Sequence, residues 1–304
     1  MVYLILASFF SASVALLFKY SESKGLNRFV VATINYIAGF FISLIIVISK
    51  GIFPTKEINP GIFLKEFSNA LKTGKVLSPG SSIIWAIVVG VVAGIFFFVA
   101  FIFYQKSVKE NGVATTGTVR SLNVLIPMTL SMVLWLEIPN MWQWFGIGIA
   151  VFSIALFSLS SIKELKRKLH SSLYLFYITG GTSQFLNKLY QKYGIVEYRS
   201  IFLLVVFFVA SLIGISILIK NRVKVRKPEI VVGFFVGLSN LFQNSLMILS
   251  FSIIKSSVAF PIFSAMSIFI LNVGGWLIFK EYLSKIKIFA IILATLSIFL
   301  ISLR

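Results

Sequence analysis

Arg120 is the most chemically pointed residue in the chain. It lies in GVATTGTVRSLNVLIPMTLSMVLW (112–135), about eight residues, or roughly 12 Å of helix, from the start of that apolar run. A guanidinium at that depth in a bilayer is costly and normally faces a cavity or a partner. Its planar fork matches carboxylate or phosphate. The competing reading starts the helix later and lets Arg120 snorkel to the interface. Asn123 follows three residues on, on the same helical face, where it could orient Arg120 or a ligand.

A second constellation is made of amides. In GLSNLFQNSLMILSF, Asn240, Gln243 and Asn244 fall at i, i+3 and i+4, on one side of a helix. Amides in an apolar helix must find either a neighbouring helix or a solute, and both readings stand. Thr182, Gln184, Asn187 and Lys188 follow Gly180-Gly181 in another apolar stretch, and Asn35 and Tyr36 sit in a third. Lys19 and Lys188 are near expected helix ends, where snorkelling is the default. The candidate solute-binding set is therefore Arg120, Asn123, Asn240, Gln243, Asn244, Asn35, Tyr36, Gln184 and Asn187. Of Tyr36, Trp85, Tyr104, Trp135, Trp142 and Trp144, most are expected in interfacial belts.

The acids constrain what such a site could do. All nine are Glu, and none falls in the middle of an apolar run. A protein exchanging protons for cationic drugs usually needs a central carboxylate. Basic and amide groups without an acid favour an anionic or zwitterionic solute. Glu137 and Glu281 fall at expected turns, where each would cap the helix that follows. There is no Cys and a single His, His170, so thiolate chemistry and a His-based metal site are excluded. No GxxxxGK[ST] phosphate loop is present. The residues imply no cofactor and no enzyme.

The elements that would position these groups follow from composition. Of 304 residues 58% are apolar and 12% charged, with a mean hydropathy of +0.99, too apolar for a water-facing domain. Apolar runs of about 20 residues cross a bilayer as helices. We read ten, near 2–19, 28–49, 83–105, 112–135, 141–159, 171–189, 199–219, 229–250, 256–279 and 284–303. The net charge of +19 lies mostly in the connectors, which reads as topology signals and contact with anionic lipid rather than nucleic-acid binding. No cleavable signal peptide is expected, because Val2–Phe18 lacks a basic leader. In the long connector 50–82, Ile62, Phe63, Phe67, Ala70 and Leu71 recur at helical spacing. They predict a short amphipathic helix on the membrane surface, against the alternative of a solvated loop. Residues 160–171 form a basic linker.

The two halves resemble each other. EIPNMWQWFGIGIAVFSIALFSL (from Glu137) and EYLSKIKIFAIILATLSIFLISL (from Glu281) share nine of 23 positions. VVGVVAG (88–94) matches VVGFFVG (231–237), and Lys19 and Gly25 match Lys188 and Gly194. These matches predict a duplication into residues 1–160 and 161–304. Five spans per half is an odd number, so the second copy would enter the membrane inverted, a construction that transport proteins use. The fold class expected is an all-α membrane protein with ten transmembrane helices in a 5+5 inverted repeat. Gly90/Gly94 and Gly233/Gly237 predict close helix packing. Pro127 and Pro261 predict kinks in the fourth and ninth spans.

These features together resemble the drug/metabolite transporter superfamily, EamA-like branch. The helix-joining turns WLEIPNMWQW and IFKEYLSKIKI, the short connectors KSVKENGVA and SIIKSSVAFP, and the basic residue ending the first helix of each half carry the likeness, which spans the whole chain. The resemblance implies a central cavity and secondary transport of small organic solutes, not a particular one. It also implies both termini inside. The basic connectors argue the reverse, because about 17 Lys/Arg lie between spans 1–2, 3–4, 5–6, 7–8 and 9–10. The function expected is alternating-access export or exchange of a small metabolite, amino-acid-like or anionic, bound near the repeat interface. The alternatives are a broad exporter of lipophilic drugs, with 32 Phe residues lining an adaptable cavity, and a lipid flippase. The expected partners are the solute and the lipid bilayer of the cell membrane, with no nucleic acid, and the protein is expected to be a monomer.

Overall fold

A computed structural model of the chain describes residues 1–52, 59–111, 113–159, 170–280 and 285–302. The linker segment 160–169, the turn at Glu281, Gly112 and residues 53–58 of the long connector lie outside the described residues. Among the described residues there is no strand. The helices are α1 (Val2–Ser23), α2 (Arg28–Ser49), α3 (Pro60–Thr73), α4 (Pro79–Asn111), α5 (Val113–Leu122), α6 (Leu125–Trp135), α7 (Met141–Leu159), α8 (Ser171–Tyr193), α9 (Arg199–Lys220), α10 (Lys227–Ser250), α11 (Ser256–Phe279) and α12 (Lys285–Ser302). Six of them, α1, α2, α4, α9, α10 and α11, are long and apolar enough to cross a membrane. Shorter apolar stretches are Val119–Trp135, Met141–Ser153 and Ile288–Ile301.

The helix boundaries follow local chemistry. The Asn27 side chain accepts from Phe29 N (2.9 Å) and Val30 N (3.4 Å), capping α2. Asn59 caps α3 in the same way, Pro60 opens it, and Gly74 closes it at φ 70°. So the 50–82 connector does contain the expected amphipathic helix. The fourth expected span is two helices rather than one kinked helix. Pro127 has no N–H to give to the Asn123 carbonyl, and its ring crowds that carbonyl. Ile126 N bonds to Asn123 O at 3.3 Å instead, and the helix is interrupted at Asn123-Val124. Pro261, by contrast, lies inside an unbroken α11.

The chain divides into two compact units, each drawn from both ends of the sequence. The second unit holds Ser13–Phe98 and Leu186–Ser252. Here α2 packs on α9 and α10, and glycines set the spacing. A Cβ at Gly237 would lie 2.5 Å from Asn35 O, and one at Gly233 would lie 2.6 Å from the Ile34 side chain. Gly90 and Gly94 of α4 meet Val205, Val206 and Val209 of α9 just as closely. Both small-residue pairs are thus close-packing faces. The turn before α2 is locked to α10: the fully buried Glu229 carboxylate accepts from Asn27 N (2.9 Å) and Arg226 N (2.8 Å). Arg226 also donates to Gly25 O at 3.0 Å.

Helix α3 belongs to the same unit. Its Phe67 ring lies 4.8 Å from Trp85 and 6.2 Å from Tyr193. Trp85, expected in an interfacial belt, is buried beneath α3. Leu77 N donates to Tyr193 O at 2.9 Å, so the α3–α4 connection is sewn to the end of α8.

The first unit holds Met1–Ala12, Val99–Phe185 and Ile253–Arg304. In it α7 packs on α12, with Ser153 Oγ donating to Ala290 O at 2.7 Å and Gly146 seated against Ile301. Helix α7 starts with a reciprocal cap: Asn140 N to Gln143 Oε1 (2.9 Å) and Gln143 N to Asn140 Oδ1 (2.8 Å). Glu137, expected to cap α7, caps α11 instead, accepting from Ser256 N and Ser256 Oγ, each at 2.6 Å. Proximity in sequence points Glu137 to α7, whereas the open N–H group that reaches its carboxylate belongs to a helix about 120 residues away.

Candidate functional site

In the second unit four asparagines join three helices. Asn187 Nδ2 on α8 donates to Asn244 Oδ1 at 2.8 Å. Asn244 Nδ2 donates to Asn240 Oδ1 (2.9 Å) and Asn240 O (2.8 Å). Asn240 Nδ2 on α10 donates to Asn35 Oδ1 on α2 at 3.2 Å. The i, i+4 spacing of Asn240 and Asn244 explains how α10 carries two consecutive rungs. The ladder satisfies most of its own donors and acceptors and ties α2, α8 and α10 together. Two polar groups at its margin are not used by it. Asn187 Oδ1 is fully buried and accepts no hydrogen bond among the described residues. Gln243, also buried, makes none among them.

Tyr36 is beside the ladder on α2. Its hydroxyl donates to Phe97 O at 3.3 Å, and its ring lies 6.1 Å from Phe98 and 6.3 Å from Phe207. Lys188 does not snorkel. It is 3% exposed, its Nζ donates to Gln191 Oε1 at 3.0 Å, and it lies 5.6 Å above the Phe251 ring. Arg199 Nε donates to Ser245 Oγ at 3.0 Å, one residue along α10 from Asn244. Sequence reasoning passed over Arg199, because it sits at a helix start where a basic residue looks like connector charge.

The first unit holds Arg120, Asn123 and Gln184. Arg120 is the third residue from the end of α5 and comes just before the helix interruption. Its guanidinium carbon lies 5.9 Å from the Tyr104 ring centre, and Tyr104 leans on Phe176 at 5.2 Å. Among the described residues Arg120 makes no hydrogen bond and no ion pair; its one described interaction is the cation–π contact. Asn123 occupies the interruption itself. It is 6% exposed, packs directly on Gly180, and its Oδ1 accepts no hydrogen bond among the described residues. The Gly180-Gly181 pair gives Asn123 and Ile126 room against α8. Gln184 is half-buried one turn further along α8.

Further polar groups in this unit carried no sequence signal. Gln105 Nε2 on α4 and Ser267 Oγ on α11 are buried and without a hydrogen bond among the described residues. Ser264 Oγ of α11 donates to Ser121 O at 3.1 Å, which fixes α11 to the α5 side of the interruption. His170 and Asn111 close one end: His170 N donates to Asn111 Oδ1 (2.8 Å) and Asn111 Nδ2 donates to Ser172 Oγ (3.2 Å). The first unit thus contains a cation and a buried, unsatisfied amide at a broken helix. The second contains a largely self-satisfied amide ladder. The partly buried Arg120 guanidinium can pair with an anionic group, and Asn123 Oδ1, an acceptor, can take a hydrogen bond from a donor such as an ammonium.

Comparison with known proteins bears on this reading. A family model for the EamA-like transporter family matches residues 1–159. No curated protein matches the sequence. A crystal structure described only as that of a protein superposes with a TM-score of 0.67, covering 99% of this chain and 98% of the other at 12% identity. At that identity the likeness is one of fold.

Proposed function

The chain belongs to the EamA-like transporter family, and we propose that it carries a small carboxylate or zwitterionic metabolite, amino acids being the nearest class, by alternating access. The observation that carries the proposal is Arg120: a guanidinium beside a broken helix, with a ring and no carboxylate among its described partners. Helix interruptions expose backbone polar groups that transporters use for solutes. Asn123, three residues on in the same unit, supplies a hydrogen-bonding group next to it.

In this reading α5 and α6 act as one span and α8 as another, giving ten. The halves 1–160 and 161–304 form the inverted repeat. The glycine faces support it. Gly90/Gly94 on the third span meet the seventh, and Gly233/Gly237 on the eighth meet the second, so corresponding glycine pairs meet exchanged partners. The protein works as an exporter or exchanger, as a monomer in the cell membrane. The test is uptake into proteoliposomes, paired with thermal-shift binding, across amino acids, sugar phosphates and cationic dyes. Carboxylates and zwitterions are expected to bind and move. Binding by cationic dyes alone contradicts the reading and favours the lipophilic-drug exporter.

A further inference from the structure

Helix α3 has three distinct flanks. One faces the protein: Phe63 and Ala70 are buried, and Phe67 rests on Trp85 and Tyr193. A second carries Leu64 and Leu71, 66% and 56% exposed. The third carries Lys65 and Lys72, both exposed. Each of these two pairs is spaced by seven residues, nearly two helical turns, so its members stack on one flank. The lysine flank is rotated about 100° from the leucine flank. Lys75 and Val76, both exposed, follow just after the helix end.

The position of α3 is fixed as well as its pattern. It joins the end of α2 to the start of α4, and both are apolar enough to span the membrane, so α3 lies at the bilayer boundary. Its one acid, Glu66, is turned away from the lysines and accepts from Ser78 N at 3.1 Å. The lysine flank therefore carries no negative charge of its own. We propose that α3 is a binding site for anionic phospholipid, with Lys65 and Lys72 taking the phosphodiester and Leu64 and Leu71 entering the acyl boundary. A soluble phosphate or an acidic peptide would use the lysines and leave the leucines in water. A lipid satisfies both flanks at once. Because Phe67, Glu66 and Leu77 hold α3 on α4 and the end of α8, the site is presented in one orientation.

The test uses the full-length protein in mild detergent, with its thermal unfolding midpoint followed against added phosphatidylglycerol, phosphatidylcholine or glycerol 3-phosphate. Phosphatidylglycerol is expected to raise the midpoint at doses where the other two do not. Lys65→Ala/Lys72→Ala is expected to need roughly 25-fold more phosphatidylglycerol for half the shift, about fivefold for each lysine. Lys65→Arg/Lys72→Arg is expected to keep the wild-type dose. The control Lys220→Ala/Lys224→Ala removes the same charge from another connector and is expected to match wild type. The proposal is overturned if the α3 variant shifts no more than the control, or if glycerol 3-phosphate works as well as the lipid.

Discussion

The Glu137 carboxylate and Ser256 are joined by two hydrogen bonds, from the Ser256 backbone N–H and its hydroxyl, each at 2.6 Å. Ser257 adds a third link, donating to Glu137 O at 2.5 Å. A glutamate in the turn before α7 thereby serves as the N-terminal cap of α11. Its charge complements the positive end of the α11 dipole.

Removing that cap is predicted to destabilise the fold. Glu137→Ala should cost about 1–2 kcal/mol, lowering the unfolding midpoint by a few degrees, and Ser256→Ala should cost about half as much. Thermal unfolding in detergent measures both. Glu137→Gln, which keeps an acceptor without the charge, is expected in between.

The glycine faces make a sharper prediction. At Gly237 a Cβ would meet the Asn35 carbonyl oxygen, and backbone cannot swing away as a side chain can. Gly237→Val and Gly94→Val are expected to reduce the yield of folded protein severely. Gly148 has nothing within 4 Å of an added Cβ, so Gly148→Val is expected to fold normally. Size-exclusion profiles after solubilisation distinguish the two outcomes.

For the amide ladder the measurable quantity is coupling. In a double-mutant cycle between Asn187→Ala and Asn244→Ala, the interaction energy is expected to be about 0.6–1.7 kcal/mol, the range for hydrogen bonds between membrane helices. Changing Gln243, which lies outside the ladder, should show no coupling to Asn187. The same cycle separates the two roles left open by the sequence, because a residue used only to hold helices together loses stability without losing solute affinity.

Glu66 sets a pH dependence. Hydrogen bonds from the Ser81 side chain, and then from Ser78, hold its carboxyl below the ordinary carboxylate range. A depressed carboxyl contributes stability that is fully present above its unfolded value and fades as pH falls through the lower folded value. Docking of α3 should therefore loosen on acidification below the usual carboxylate range. Protease nicking in the 50–82 connector is expected to rise over that interval in wild type. In Glu66→Gln the dependence over that interval should be flattened.

Much of this architecture was legible in residue types and spacing. The Ile62/Phe63/Phe67/Ala70/Leu71 stripe specified α3 because helical periodicity is a local signal. The GVVAG and GFFVG pairs specified close faces because only glycine admits a backbone so near. Long-range pairings were not legible. Glu137 reaches a helix far along the chain, and nothing in its neighbours encodes that distance. Lys188 reads as a snorkelling residue because its position near a helix end does not reveal that its amine lies over the Phe251 ring and is buried. The interruption at Asn123 was half visible: Pro127 marked a distortion, but whether a proline bends or breaks a helix depends on the packing around it, as the unbroken α11 around Pro261 shows. Of the candidate solute residues, Asn35, Asn187, Asn240 and Asn244 come together in one hydrogen-bonded chain with Tyr36 alongside, while Arg120, Asn123 and Gln184 belong to the other unit.

The most direct test of the central claim is solute binding by Arg120 variants. Binding is measured on protein whose unfolding midpoint matches wild type, using the carboxylate or zwitterion that the wild-type protein binds. Arg120→Ala is expected to weaken binding at least tenfold, about 1.4 kcal/mol, and to abolish uptake. Arg120→Lys, which keeps the charge but not the fork, is expected to recover only part of the loss. Wild-type affinity in Arg120→Ala would contradict the account and leave Arg120 as a side chain resting on Tyr104.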